Sequence, residues 1–335
     1  MHLPFCIFAL LKHEQSMTSE RGKSARSDSD VAVRLMRSML FVPGSRPTMI
    51  AKAAASIADA VCLDLEDSVL PEEKAASRGN VVRALNEVDF GQRVRMVRIN
   101  SLDTEFADRD LMEVMESAGD RVDLVMIPKV ASAADIAFVD DVLTRVEEAR
   151  GATRRIGIEA QIESAAGFLY VREIASASSR LESLIFGPGD FAASMQMPAS
   201  AIGELDMHDA AYPGHRYHAV MLTIVAAARA NGLRCMDGPY AGYTDTPGLI
   251  RACQIAVALG FDGKQCIHPG QLATVNAAFS PSDEEVARAS ALVKAYEAAI
   301  AEGRGAAAYQ GRMIDAASLR MAQVIIRRHT MIESR

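Results

Sequence analysis

The sequence predicts a closed parallel (β/α)8 barrel, the TIM-barrel architecture of the α/β class, with a C-terminal helical extension. The chain has 335 residues, enough for one large α/β domain or two ordinary domains. Between residues 38 and 267, eight short apolar or β-branched runs alternate with longer helical stretches, the pattern of a (β/α)8 barrel. The alternative is an open doubly wound sheet, but no G-x-G-x-x-G follows the first run to indicate a dinucleotide site.

The predicted elements follow one another along the chain. The predicted strands are 38–42, 60–65, 95–99, 124–127, 157–162, 184–187, 233–236 and 263–267. Clear helical segments among them are 71–86, 132–148, 219–230 and 247–259. We expect the side chains of Ser132, Asp190, Thr246 and Ser282 to cap the helices that follow them.

The chain divides into three predicted regions. Residues 1–33 are expected to form a disordered N-terminal arm, because a short apolar run is followed by a Ser-, Arg- and Asp-rich stretch. Residues 34–279 are the predicted barrel. Residues 280–335 are the predicted helical extension, with a helix over 281–302, a glycine-interrupted segment and an amphipathic helix over 316–328. This tail exceeds what a barrel needs, so we expect it to act as a lid.

Composition excludes several classes of function. The formal net charge is −7 and no basic cluster occurs, which argues against nucleic acid as a partner. No apolar run approaches the ~20 residues that a membrane helix needs. The five cysteines include no C-x-x-C pair, so neither a disulfide framework nor structural zinc is expected. We expect a cytoplasmic protein.

Ionisable side chains are concentrated where the predicted strands end. In a barrel the carboxyl ends of the strands carry the active site, so this concentration indicates an enzyme. The residues there, in strand order, are Arg46; Asp64, Glu66 and Asp67; Arg98; Lys129; Glu163; Asp190; Asp237; and His268.

Glu163 and Asp190 end neighbouring predicted strands. Two carboxylates leave coordination places for waters and a chelating substrate, a pattern that Mg²⁺ favours and Mn²⁺ tolerates. The alternative is that each carboxylate caps the following helix. His215 and His218, three residues apart, are a weaker metal pair and more simply loop residues.

Arg98 ends a predicted strand and carries a permanent positive charge. A guanidinium there can hold a carboxylate through two bonds or stabilise an oxyanion, so we predict a catalytic role. The alternative, compatible with that role, is an ion pair to the acids at 64, 66 and 67. Lys129 suggests a Schiff-base aldolase, but the same acids are expected to keep it charged.

The ordered motifs resemble the citrate lyase β-subunit-like group of the HpcH/HpaI aldolase superfamily. The resemblance covers about residues 38–328. The motifs are LFVPGSRP from Leu40, LDLEDSV from Leu63, VRIN from Val97, MIPKV from Met126, IESAAG from Ile162, FGPGDFAASM from Phe186, DGPY from Asp237 and GKQCIHPGQ from Gly263. Within the group the chain looks closest to malyl-CoA and β-methylmalyl-CoA lyases, because it also has the tail motif YQGRMIDAA from Tyr309.

The resemblance implies a set of roles. It assigns Mg²⁺ to Glu163 and Asp190, catalysis to Arg98, acid/base chemistry to Asp315, and the coenzyme A region to Phe41, Arg46 and Pro239. These seven assignments are carried over, residue by residue, from the matching motifs. In several relatives the C-terminal segment closes over a neighbouring subunit's barrel, which implies a homotrimer or homohexamer.

The implied reaction is cleavage or formation of a β-hydroxyacyl-CoA, such as malyl-CoA, β-methylmalyl-CoA or citramalyl-CoA. Its products are an acyl-CoA and a small α-keto acid. Three alternatives remain open at this point: a citrate lyase β subunit, a malyl-CoA thioesterase, and a non-enzymatic scaffold subunit.

Overall fold

Eight parallel strands close into a barrel in chain order, β1 pairing with β8. The computed structural model describes residues 34–198, 201–211 and 215–335. The strands are β1 (Ser38–Pro43), β2 (Ala60–Asp64), β3 (Val94–Arg98), β4 (Leu124–Ile127), β5 (Gly157–Ile162), β6 (Leu181–Phe186), β7 (Arg234–Asp237) and β8 (Gly263–Cys266). The predicted fold class is confirmed.

Helices surround the barrel and continue beyond it. Those up to β8 are α1 (Pro47–Ala54), α2 (Lys74–Glu87), α3 (Ala107–Ala118), α4 (Ala133–Arg150), α5 (Ala165–Leu169), α6 (Val171–Ala175), α7 (Pro188–Ser194), α8 (Met207–Ala211), α9 (His218–Ala230) and α10 (Thr246–Leu259). After β8 follow α11 (Leu272–Ala278), α12 (Asp283–Ala301), the antiparallel hairpin β9 (Ala307–Tyr309) and β10 (Arg312–Ile314), and α13 (Ala316–Glu333).

Two of the four predicted helix caps are wrong. Ser132 and Ser282 form capping boxes at α4 and α12, as predicted. Asp190 instead lies inside α7, whose N-cap is Gly187, because Pro188 begins the helix. The cap of α10 is Asp245 rather than Thr246, and its carboxylate accepts a hydrogen bond from the amide of Gly248.

Strand β6 begins three residues earlier than predicted, because polar side chains precede its apolar run. Glu182 in that stretch accepts hydrogen bonds from Arg34 and Arg234, at 3.1 and 2.9 Å. Glu159 also pairs with Arg234, at 3.2 Å. These buried charged side chains close the amino-terminal end of the barrel. The predicted site lies at the opposite end, where the strands have their carboxyl ends.

Small and sulphur-containing side chains fill the barrel interior. The strand alternation directs one set inward, and a larger apolar layer packs between the strands and the surrounding helices. The inner set contains Met39, Ala60, Cys62, Met96, Leu124, Met126, Ile185 and Met236, with Phe41 partly buried against it.

The C-terminal extension is attached to the amino-terminal end of the barrel. Helix α13 packs along α12. Arg328 pairs with Asp262 at 2.7 Å, and Arg335 with Asp59 at 2.6 Å. Asp59 precedes β2 and Asp262 precedes β8, so the end of α13 lies at the face opposite to the strand ends that carry the predicted site.

The predicted arm, residues 1–33, lies outside the described residues. Within the described ranges, no helix is both long and apolar enough to cross a membrane.

Candidate active site

Arg98 and two carboxylates form the ion cluster at the ends of β2 and β3. Arg98 Nε and Nη2 donate to the two oxygens of Asp64, at 2.6 and 2.7 Å. Its Nη1 lies 2.8 Å from Glu66 Oε2. Burial opposes ionisation of Asp64, but the Arg98 charge outweighs it and the pKa of Asp64 lies below its usual value. The predicted pairing of Arg98 with this acidic group is therefore present.

Phe41 points into the barrel mouth from β1 and lies against Arg98. The guanidinium carbon is 4.9 Å from the centre of the ring. A cation over an aromatic face is attracted by the ring's electron density. Phe41 thus restrains the flat side of Arg98, while the carboxylate of Asp64 restrains one edge.

Lys129 connects acids that follow two different strands, β2 and β6. Its Nζ lies 2.5 Å from Glu66 Oε1, 3.4 Å from Asp67 Oδ1 and 3.9 Å from Asp190 Oδ1. Burial opposes its charge, but the hydrogen bond that Lys129 donates to Glu66 and these negative charges raise the pKa of Lys129 above its usual value. A charged lysine is not a nucleophile, so the structure disfavours Schiff-base chemistry there.

Glu163 follows β5 and is 2% exposed. Its Oε1 accepts a hydrogen bond from the backbone amide of Lys129 at 2.7 Å, and its Oε2 accepts one from Gln161 Nε2 at 2.6 Å. Burial and the negative charges of Asp190 and Glu66 raise the pKa of Glu163 to about 8. A nearby cation would therefore stabilise the ionised form of this carboxylate.

The loop after β6 brings Asp190 towards Glu163. A Cβ atom at Gly187 would lie only 2.4 Å from Glu163 Oε2, so glycine is required for this close approach. Asp190 comes three residues later in α7, and its side chain is 45% exposed. The two acids thus occupy neighbouring strand ends, one buried and one open to solvent.

This arrangement fits a hard divalent cation. Two carboxylates raise each other's energy unless a cation lies nearby, and after burial this repulsion is the next cause of the raised pKa of Glu163. Among the described residues, no cluster of three or more His, Cys, Asp or Glu side chains has the arrangement of a metal site. Two protein ligands with remaining places for water and substrate are the usual pattern for Mg²⁺.

The other predicted site residues lie farther from this centre. Arg46 is exposed and precedes α1. Pro239 is half-buried and lines a cavity outside the barrel wall, together with Phe186 and Met221. Asp315 is the N-cap of α13, where its carboxylate accepts hydrogen bonds from the amides of Ala317 and Ser318.

Among the described residues, Asp315 has no hydrogen bond or ion pair to the residues of the barrel mouth. Its hydrogen bonds in the described part of the chain are all to the first turn of α13. The other end of α13 contacts the opposite face of the barrel through Arg328 and Arg335.

Sequence reasoning missed Gln161 and Gln265. Both are buried amides in the barrel interior, and Gln161 contacts the predicted metal ligand directly. A signal was available, because Gln161 stands two residues before Glu163 in a strand and therefore faces the same way. The strand pattern alone places Gln161 in a largely apolar run.

The buried carboxylate, its exposed neighbour and the fixed guanidinium define a barrel enzyme whose site is suited to a divalent cation and an anionic substrate. The profile of the family described as HpcH/HpaI aldolase/citrate lyase matches residues 37–269. The chain belongs to this family, and it is a carbon–carbon lyase of that group.

Individual relatives agree with that assignment. An L-malyl-CoA/beta-methylmalyl-CoA lyase of Cereibacter sphaeroides is 45% identical over 304 residues, covering 89% of this chain and 96% of that protein. A (3S)-malyl-CoA thioesterase of the same species is 34% identical, over 83% of this chain and 89% of that protein.

A solved structure has the same fold. CitE from Mycobacterium tuberculosis, in complex with magnesium, acetoacetate and coenzyme A, has a TM-score of 0.70 and 30% sequence identity. The match covers 88% of this chain and 98% of that one. The family, fold and enzyme class predicted from the sequence are therefore confirmed.

Proposed function

We propose that the protein is a Mg²⁺-dependent lyase that cleaves or forms a β-hydroxyacyl-CoA such as malyl-CoA, β-methylmalyl-CoA or citramalyl-CoA. The products of cleavage are an acyl-CoA and a small α-keto acid. The observation that carries this proposal is the buried Glu163 beside Asp190 and within the field of Arg98. The 45% identity to a lyase of malyl-CoA and β-methylmalyl-CoA supports the choice of substrate class.

Glu163 and Asp190 would hold the cation, Mg²⁺ or Mn²⁺. Bound there, the cation supplies charge neutralisation and polarisation of the keto-acid oxygens. Lys129 stabilises the same pair of acids, through its backbone amide on Glu163 and its ammonium near Asp190. One residue thus contacts both proposed ligands.

Arg98 stabilises negative charge on the reacting carbonyl oxygen. A guanidinium has five N–H donors, and Arg98 donates from Nε and Nη2 to Asp64, while Nη1 lies 2.8 Å from Glu66 Oε2 as an ion pair. In this proposal the donors that Asp64 does not use face the substrate. Because its pKa is raised by Asp64 and Glu66 despite burial, Arg98 stays charged throughout.

Phe41, Arg46 and Pro239 form the proposed coenzyme A region. Phe41 lies at the mouth beside Arg98, and exposed Arg46 follows the same strand, where its charge suits a phosphate. Pro239 follows β7, which is separated from β1 by one strand, β8, around the barrel.

Asp315 carries the proton to or from the α-carbon of the thioester. Its described hydrogen bonds are all to the first turn of α13, and we propose that Asp315 acts in the barrel of a neighbouring subunit. This requires a homo-oligomer, which we propose to be a trimer or hexamer.

The four described cysteines are buried free thiols, in keeping with a cytoplasmic location.

A panel of β-hydroxyacyl-CoA esters with Mg²⁺, followed by mass spectrometry of the products, tests this function. We expect an acyl-CoA and a keto acid from at least one ester, and no reaction with the E163Q variant. Absence of carbon–carbon cleavage across the panel would overturn the proposal.

A thioesterase is the second candidate, favoured by the 34% identical malyl-CoA thioesterase. The same assay separates the two, since a thioesterase releases free coenzyme A and intact malate. A citrate lyase β subunit, as in the similar M. tuberculosis complex with oxaloacetate and magnesium, would instead release oxaloacetate from a citryl thioester.

A further inference from the structure

We propose that Gln161 and Gln265 form a two-amide relay across the barrel interior that holds Glu163 in its metal-binding orientation. Gln265 Nε2 donates to Gln161 Oε1 at 3.3 Å, and Gln161 Nε2 donates to Glu163 Oε2 at 2.6 Å. Both glutamines act as positioning residues. The inference rests on the proposed role of Glu163 as a metal ligand.

The relay crosses the barrel interior. Gln161 is on β5 and Gln265 on β8, strands that are not neighbours in the barrel. The two side chains are 4% and 2% exposed. Burying polar amides costs free energy unless they are hydrogen-bonded, so their mutual bond stabilises both within the barrel.

The direction of the relay follows from its end point. An ionised Glu163 only accepts hydrogen bonds, so Gln161 must present its NH₂ group rather than its carbonyl oxygen. That choice turns Gln161 Oε1 towards Gln265, which satisfies it with an NH₂ donor. Without Gln265, the Gln161 amide is free to turn its oxygen towards the carboxylate, where the two oxygens repel.

The backbone supplies the second restraint on Glu163. Lys129 adopts a left-handed conformation with φ of 51°, which is uncommon for a residue with a side chain. In that conformation its amide donates to Glu163 Oε1 at 2.7 Å. Each carboxylate oxygen therefore has one fixed protein donor and keeps lone-pair capacity for a cation.

Gly187 completes the enclosure. A Cβ atom there would lie 3.0 Å from Gln161 Nε2 as well as 2.4 Å from Glu163 Oε2. The amide and the carboxylate are thus confined between this backbone and the barrel interior. Partners that orient a ligand in this way typically contribute ~10–100-fold to metal affinity.

The test measures metal affinity directly, by calorimetry with Mg²⁺ and by electron paramagnetic resonance with Mn²⁺, on Q161M, Q265M and the double variant. Methionine preserves length and volume and removes the amide. We expect at least ~10-fold weaker binding in Q161M and a smaller loss in Q265M. The double variant should bind no more weakly than Q161M, because Gln265 acts through Gln161.

The matched control is S183A. Ser183 is a buried residue of β6 that shares the inward face with Ile185, and its hydroxyl bonds only to the carbonyl of Leu184 among the hydrogen bonds described. This variant should leave metal affinity unchanged. If Q161M does not fold, Q161N replaces it, since asparagine keeps the amide but is one methylene too short to reach Glu163.

Two results would overturn the relay: metal affinity of Q161M within twofold of the wild type, or additive losses in the double variant. The E163Q variant separates this from the proposed function. If E163Q also keeps wild-type affinity, the metal assignment itself fails. If E163Q loses binding while Q161M does not, only the relay is wrong.

Discussion

Arg98 donates two hydrogen bonds to Asp64, 2.6 Å from Nε to Oδ1 and 2.7 Å from Nη2 to Oδ2. This fork joins the ends of β2 and β3 and fixes the plane of the guanidinium over Phe41. A lysine carries the same charge but cannot form the fork.

R98K should therefore lose turnover while retaining its metal. We expect kcat to fall at least ~100-fold, the scale of a lost oxyanion donor, with Mg²⁺ affinity changed by less than about threefold. Steady-state kinetics and calorimetry provide the measurements.

R95K is the matched control for this change. Arg95 makes the same kind of fork to Asp123, with bonds of 2.9 and 3.1 Å, but at the amino-terminal end of the barrel. It should lose some thermal stability and keep kcat. Equal losses of kcat in both variants would reduce Arg98 to a structural ion pair.

The metal assignment predicts a common effect of two substitutions. E163Q and D190N keep side-chain shape but remove a negative charge, so both should abolish turnover and weaken Mg²⁺ binding measured by calorimetry. E173Q, at an exposed position on α6, is the charge-matched control and should behave as the wild type. A variant that keeps wild-type affinity identifies a residue that is not a ligand.

Glu159 predicts how stability depends on pH. Burial is the main cause that raises the pKa of Glu159 to about 7, from 4.5. Between those values the folded protein retains a proton that the unfolded chain has lost. The wild type therefore loses stability as the pH rises from 4.5 to 7, and the loss is complete above 7.

E159Q lacks this titration, so the comparison isolates it. The free energy of unfolding of the wild type should fall relative to E159Q across that window, by up to about 3 kcal/mol. Urea unfolding at a series of pH values measures the difference. Parallel pH curves for the two proteins would show that the pKa of Glu159 is the same in the folded and unfolded states.

The strand ends were predictable because charged residues interrupt apolar runs there. Arg98 and Glu163 stand at such interruptions, and the structure places both at the barrel mouth. The contact of Gln161 with Glu163 was not predictable, because a single amide inside an apolar run does not disturb the strand pattern. Its importance depends on Gln265, which is 104 residues away in sequence.

The position of the extension also could not be predicted from its pattern. An amphipathic helix indicates only that one face packs on something. Its placement depends on pairs such as Arg335 with Asp59, which lie 276 residues apart in sequence. Such distant charge pairs leave no local signal in the sequence. The same amphipathic pattern is therefore expected whether the extension covers the mouth of its own barrel or attaches to the opposite face.

The last prediction concerns Asp315, which has a structural role and a proposed catalytic one. Its carboxylate caps α13, and the hydrogen bonds from Ser318 and Ala317 keep the pKa of Asp315 below its usual value. Asparagine caps a helix nearly as well but cannot take a proton. D315N should therefore keep its fold and Mg²⁺ affinity, lose at least ~100-fold in kcat, and stop exchange of the α-protons of acetyl-CoA in D₂O.

Co-expression of D315N with E163Q determines which barrel Asp315 serves. Each variant alone should be inactive. In mixed oligomers, a D315N barrel has intact Glu163 and receives intact Asp315 from an E163Q neighbour, so activity should return. Random assembly would restore roughly a quarter of the wild-type sites in a closed ring of identical contacts. If mixed oligomers isolated through two different tags stay inactive, Asp315 does not act between subunits. If D315N alone keeps near-wild-type turnover, Asp315 is only a helix cap and the acid/base group lies elsewhere.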